Sequence, residues 1–184
     1  MRCKLGKMFA VTLCVLTLLV VNTPAGETYK QNEQGLEKEF DGFLKAYHKG
    51  DDAGMTQAFA IFGIPKAKEW FADHFAAEDV ARMSAAYDKQ ITDGQNALIE
   101  DMNRADPGSK FHLRCESRGD VPSGSGKGGS GGIQPVKPVR VEQFVLEFEG
   151  ASNGQKFLFM ANFVYMDGAY RFVGGGGGPF WVKM

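Results

Sequence analysis

The hydrophobic period of this chain changes once, at Asp106-Pro107-Gly108, and that change restricts the folds open to it. Before it, apolar residues recur every three or four positions; after it, they alternate in twos. Leu36, Phe40, Phe43, Leu44 and Tyr47 form one apolar stripe with charges opposite, which predicts an amphipathic helix. Gly50-Asp51-Asp52 ends that helix and caps the next, which carries Met55, Phe59 and Phe62 as far as the break at Gly63-Ile64-Pro65. Trp70, Phe71 and Phe75 mark a third helical stretch. A fourth starts at Glu78-Asp79 and keeps Val80, Met83, Tyr87, Ile91, Leu98 and Met102 on one face.

Beyond the break, Phe111, Leu113 and Cys115 alternate with His112, Arg114 and Glu116, the pattern of a half-buried strand. Residues 118–132 read as a flexible Gly/Ser loop. A second strand runs from about Val139 to Glu149, and its alternation changes phase near Gln143, which predicts a bulge. Gly150 to Gly154 makes a turn. The strand over 156–166 is apolar on both faces and belongs inside a sheet with both sides at least partly covered. Asp167-Gly168 is a tight-hairpin signal leading into Tyr170 to Val173. Helices first and hairpin-linked strands second predict an α+β domain. Its N-terminal amphipathic helices, over 30–105, pack on one face of a curved antiparallel sheet formed by 110–184. No internal repeat is visible, and 26–184 is expected to be one domain.

The first 25 residues have the pattern of a secretory signal peptide. Arg2, Lys4 and Lys7 precede an uncharged apolar run from Met8 to Val21, and Thr23-Pro24-Ala25 offers a small-residue cleavage site. The run is shorter than the ~20 residues of a spanning helix, although retention as an anchor stays open. An exported address, periplasmic or secreted, follows. Removing those three cations from 21 basic residues leaves 18 against 22 acidic, a net charge of −4. Such a surface has no global attraction for nucleic acid or anionic membranes. With no second long apolar run, the mature chain is expected to stay off the membrane. Cys3 and Cys14 leave with the leader, so Cys115 has no internal disulfide partner. A small buried hydrophobe on a strand is the plainer reading of Cys115, beside a reactive thiol or an intermolecular bridge.

Several motifs fail on context. Gly124, Gly126 and Gly129 spell G-x-G-x-x-G without the strand before and helix after that dinucleotide binding requires. Gly126-Lys127 is followed by Gly128, which excludes a P-loop. Arg118-Gly119-Asp120 is the tripeptide integrins recognise, in what the sequence reads as an exposed loop, but three residues carry little information. A calcium loop over Asp101 to His112 lacks the glycine and the bidentate glutamate. His48, His74 and His112 show no zinc spacing, and there is no G-x-S-x-G elbow. Neither a metal nor a cofactor is implied. Cys115 and His112, three apart on a strand, face opposite sides, and Asp73 and His74 are expected on different sides of a helix. The glycines from 174 to 178 specify no single anion-binding geometry.

The helices followed by a long strand that turns at Met166-Asp167-Gly168 into Tyr170-Arg171-Phe172-Val173 resemble the nuclear transport factor 2-like, or cystatin-like, α+β superfamily. Many of its members carry a similar D-G-x-[WY]-[RK] turn in the last hairpin. The resemblance spans residues 33 to 173. It implies a cone whose helices and curved sheet enclose a pocket, and frequent dimerisation through the sheet. Members include isomerases, dehydratases and binding modules, and this chain departs from the enzymes in lacking an obvious Asp–His pair. The stretch from Phe62 to Phe75, with its Ile64-Pro65 break and Trp70-Phe71 pair, also resembles exported bacterial proteins of unknown role.

Two functions remain open. One is a non-catalytic module binding a small apolar ligand or an envelope protein, with Trp70, Phe71 and Phe75 as pocket walls or simply as core. The other is a pocket enzyme of isomerase, dehydratase or hydrolase type, with Asp73, His74, His112 and Glu116 as acid–base groups; it requires two of them to meet in an apolar cavity. A homodimer formed through the sheet is a third expectation, compatible with either.

Overall fold

A computed structural model describes residues 28–105, 111–121, 132–149, 156–176 and 178–184. The signal peptide, the Asp106–Gly108 break, the G-x-G-x-x-G glycines and the turn at Gly150 to Gly154 lie outside the described residues. Four helices precede four strands: α1 (Glu33–Lys49), α2 (Asp52–Ala60), α3 (Ala67–His74), α4 (Ala77–Arg104), then β1 (Phe111–Val121), β2 (Val139–Glu149), β3 (Lys156–Met166) and β4 (Ala169–Gly175). A short 3₁₀ turn, Phe180–Lys183, follows. The strands form one antiparallel sheet in the order β1-β2-β3-β4. The fold is therefore α+β, as the change of period predicts.

Local chemistry sets the boundaries. Asn32 caps α1 by accepting the Gly35 N–H at 2.9 Å, and Gly50 ends it in the left-handed region at φ 64°. Asp51 repeats the cap for α2. Asp167 and Gly168 both take positive φ, as a type I′ hairpin turn requires.

Side-chain parity divides the core in two. On one face of the sheet, Leu36, Phe40 and Phe43 of α1, Phe59 of α2, and Leu98 and Met102 of α4 pack on Leu113, Phe144, Leu146, Phe163 and Phe172. On the other, Phe71 and Phe75, with Val80, Met83 and Tyr87 from the start of α4, pack on Val139, Val141, Val164, Val173 and Trp181. The single covered face expected from sequence is thus only part of the arrangement, because α4 contributes to both clusters. The two-faced apolar character of β3 reflects this double cover.

Three further expectations need correcting. The expected loop over 118–132 starts later: Arg118–Val121 continue β1 and pair with Glu142–Val139. The integrin tripeptide therefore lies in a strand rather than in an exposed loop. The phase change near Gln143 is not a bulge in β2 but a change of covered face, Val139 and Val141 facing the second cluster and Phe144, Leu146 and Phe148 the first; the extra residue in this ladder is Glu116 on β1. β2 itself runs unbroken.

The helix α1 also reaches both edges of the sheet. On the β1 edge, Glu33 accepts the Cys115 N–H at 2.7 Å; on the β4 edge, Glu39 accepts the Tyr170 N–H at 2.9 Å. Phe62 adds its carbonyl to the Phe172 N–H at 2.8 Å. These three edge N–H groups are thereby unavailable for pairing with another chain.

Candidate functional site

A group of converging polar side chains lies where α1, β1, β2 and β4 come together. At its centre is Glu142, fully buried on β2. Its Oε2 accepts from the Tyr170 hydroxyl at 3.2 Å and lies 3.1 Å from Arg118 Nη2. Its Oε1 accepts from Gln31 Nε2 at 2.5 Å, with Arg140 Nε at 3.9 Å. A buried carboxylate persists only when its lone pairs are filled and its charge is balanced, and here both conditions are met.

Tyr170 joins this carboxylate to a second. Its hydroxyl donates to Glu142 while its own N–H donates to Glu39, which is 2% exposed. Burial outweighs the Tyr170 hydrogen bond and the nearby Arg171 charge, and raises the Glu39 carboxyl to about 7.

Beside the buried pair opens a cleft of about 400 Å³, lined by Asn32, Glu33, Cys115, Glu116, Ser117 and Arg118. The β1 irregularity shapes it by turning Cys115 to Arg118 toward the start of α1. Arg118 spans the two environments, with its guanidinium partly in the cleft and partly on Glu142. Three groups in or beside the cleft are held in their protonated forms. Burial pushes the Cys115 thiol up, away from thiolate. Burial, then the adjacent Glu142 charge, pushes the Tyr170 phenol up as well. That same carboxylate drives the Arg118 guanidinium further up. Cys115 itself is half-buried rather than buried, and its Sγ lies 3.6 Å from the Ser117 carbonyl.

The residues predicted from sequence fall elsewhere or at the rim. Asp73 and His74, expected on different sides of α3, lie 3.6 Å apart at its C-terminal end. Asp73 is exposed and bonded to Lys137 at 2.5 Å, which holds its carboxyl below the usual range. The His74 ring stacks on Trp70 at 4.4 Å and its Nδ1 faces the Trp70 carbonyl. His112 and Glu116 lie on β1, His112 opposite Glu147, Glu116 bonded to Arg114 and at the cleft rim. No two of the four meet in an apolar cavity. Phe71 and Phe75 are buried in the second cluster, with the partly buried Trp70 against them. Among the described residues, no three of His, Cys, Asp and Glu gather closely enough to hold a metal ion. No described helix is long and apolar enough to cross a membrane.

Sequence reasoning passed over Glu39 and Glu142, yet each left a signal. Glu39 occupies a slot in the stripe Leu36, Phe40, Phe43 where an apolar residue belongs, and Glu142 has the parity of Phe144, Leu146 and Phe148. A charge in a core slot is the readable mark of a buried polar site. Compared with known proteins, the chain matches no family model, no curated protein and no solved structure.

Proposed function

We propose that this chain is an exported, non-catalytic binding module whose ligand site is the cleft between the start of α1 and the β1 irregularity. The observation that carries the reading is the cleft's chemistry. A fully buried carboxylate, a phenol and a guanidinium converge beside an open cavity, while thiol and phenol are both pushed toward their inert, protonated forms. Few, well-placed polar groups beside a cavity are what orients a ligand. The Glu39 carboxyl, although raised to about 7, is sealed between α1 and β4 and is out of reach of a substrate. The nuclear transport factor 2-like resemblance belongs to the same proposal, as does export by the N-terminal leader.

Native mass spectrometry of the protein purified from its exported fraction tests the reading. A small molecule should travel with the native chain and be lost from Arg118→Ala; because that variant strands the buried Glu142 charge, circular dichroism checks that it is still folded. A ligand retained unchanged by R118A would move the site elsewhere. A ligand turned over to product would favour the enzyme.

Self-association through the sheet is a second reading with its own observation. Leu158 and Met160 on β3 are 50% and 42% exposed, neighbours on a face they share with Val145. Exposed apolar patches on a sheet mark contact surfaces. Light scattering across a concentration series should show a dimer that Leu158→Asp abolishes; a monomer at every concentration would dismiss it.

A further inference from the structure

The segment ahead of α1 closes over Glu142. We propose that Thr28–Asn32 is a strap whose Gln31 carboxamide fills a subsite meant for a neutral N–H donor, of carboxamide type, on the ligand. The inference rests on the reading of the cleft as a binding site and names the ligand chemistry and its built-in competitor.

Gln31 is an exposed residue, yet its amide reaches a carboxylate that is completely buried. Protein groups already serve Oε2 of that carboxylate, whereas Oε1 has Gln31 as its close donor. The charge of Glu142 is balanced by Arg118, with Arg140 Nε already 3.9 Å from Oε1, so a further cation there would leave a buried excess of positive charge and a neutral donor would not. Asn32 and Glu33, which continue the strap into α1, form one wall of the cleft, so lifting the strap would open the cleft onto Glu142.

The strap lies outside both apolar clusters and is tied through hydrogen bonds. Tyr29 donates its N–H to the Gly168 carbonyl at 2.7 Å, and the Tyr165 hydroxyl donates to the Tyr29 carbonyl. The Lys30 carbonyl fits against Gly35, where a Cβ would lie only 1.8 Å from its oxygen. Glycine at 35 is what lets the strap fold onto the first turn of α1. A segment tied by a few hydrogen bonds and little apolar burial opens at far lower free energy than the core. Two substitutions separate its parts: Gln31→Ala removes the competing amide, and Gly35→Ala pushes the strap off while leaving Glu142, Arg118 and Tyr170 in place.

The experiment has two readouts on the native chain and both variants. Exchange of the Gln31 side-chain amide hydrogens, by NMR, reports the strap whether or not the cleft has a ligand. They should be protected in the native chain and exchange as a free amide in G35A. Propionamide is then titrated against the Arg118 and Tyr170 backbone signals, with propylammonium as the charged comparison. Both variants should bind propionamide about tenfold more tightly than the native chain, since one competing hydrogen bond is gone. Free exchange of Gln31 in the native chain overturns the strap, and equal propionamide affinities overturn the competition. Binding of propylammonium in preference to propionamide, or of neither, overturns the neutral-donor assignment. None of these results depends on whether R118A loses a co-purified ligand, so this inference and the cleft reading fail separately.

Discussion

Replacing Glu39 by glutamine should abolish a specific loss of stability between pH 4.5 and 7. The native carboxyl is raised from its ordinary 4.5 to about 7 in the folded chain, chiefly by burial. Folded protein therefore holds this proton over a range where unfolded protein has released it, and stability falls as pH rises through that window. Below about 4.5 both states are protonated and the penalty is absent; above about 7 it is complete. At about 1.4 kcal/mol for each pH unit, the rise corresponds to about 3 kcal/mol. Glutamine keeps an oxygen for the Tyr170 N–H and carries no charge. Urea unfolding of native and Glu39→Gln proteins at intervals from pH 4 to 8.5 measures the difference. The variant should match the native chain near pH 4 and exceed it by about 3 kcal/mol at pH 8. A difference that stays flat with pH would refute the assignment of a protonated Glu39 at neutrality, and one that grows toward acid would reverse its sign.

Two helix glycines should respond oppositely to alanine. At Gly94 on α4 a Cβ would stand 2.5 Å from the buried Phe172 ring, so Gly94→Ala should lower stability by about 1–2 kcal/mol despite the better helix former. At Gly42 on α1 a Cβ meets only the Ala58 methyl at 3.7 Å, and Gly42→Ala should gain about 0.5–1 kcal/mol; thermal unfolding of the pair checks both signs. The Tyr87 hydroxyl accepts the Ile64 N–H and donates to the Phe172 carbonyl, each at 2.9 Å. Tyr87→Phe leaves both without that partner and should cost about 1–3 kcal/mol in denaturant unfolding, against almost nothing for Tyr47→Phe at the surface.

The architecture was legible because periodicity is a local property. The stripe from Leu36 to Tyr47, the alternation from Phe111 to Glu116 and the Asp167-Gly168 turn each announce their element within a dozen residues. What escaped was set by long-range pairing. Arg118–Asp120 looks like loop beside so many glycines, and becomes strand because Arg140–Glu142 supplies a partner. The phase change near Gln143 was visible, but that it marks a change of covered face rather than a bulge depends on the second cluster, which β2 alone does not encode. The second cluster needs Trp181 to fold back beside Phe75, at 5.2 Å between rings, across more than a hundred residues of chain. The cleft was hardest to read. Its walls come from the start of α1 and from β1, the buried group beside it from β2 and β4, and the histidines lie outside both, whereas Glu39 and Glu142 were hidden inside apolar patterns.

The division of α4 between the two clusters has a consequence for how the domain comes apart. Val80, Met83 and Tyr87 are anchored on one side of the sheet, Leu98 and Met102 on the other, along one helix of 28 residues. Neither cluster can melt without unravelling or detaching a helix on which the other depends. Two cores that look like separate units in cross-section are thus expected to unfold in a single cooperative transition. Trp70 and Trp181, both in the second cluster, would then lose their fluorescence signature at the same denaturant concentration at which the helical circular dichroism disappears.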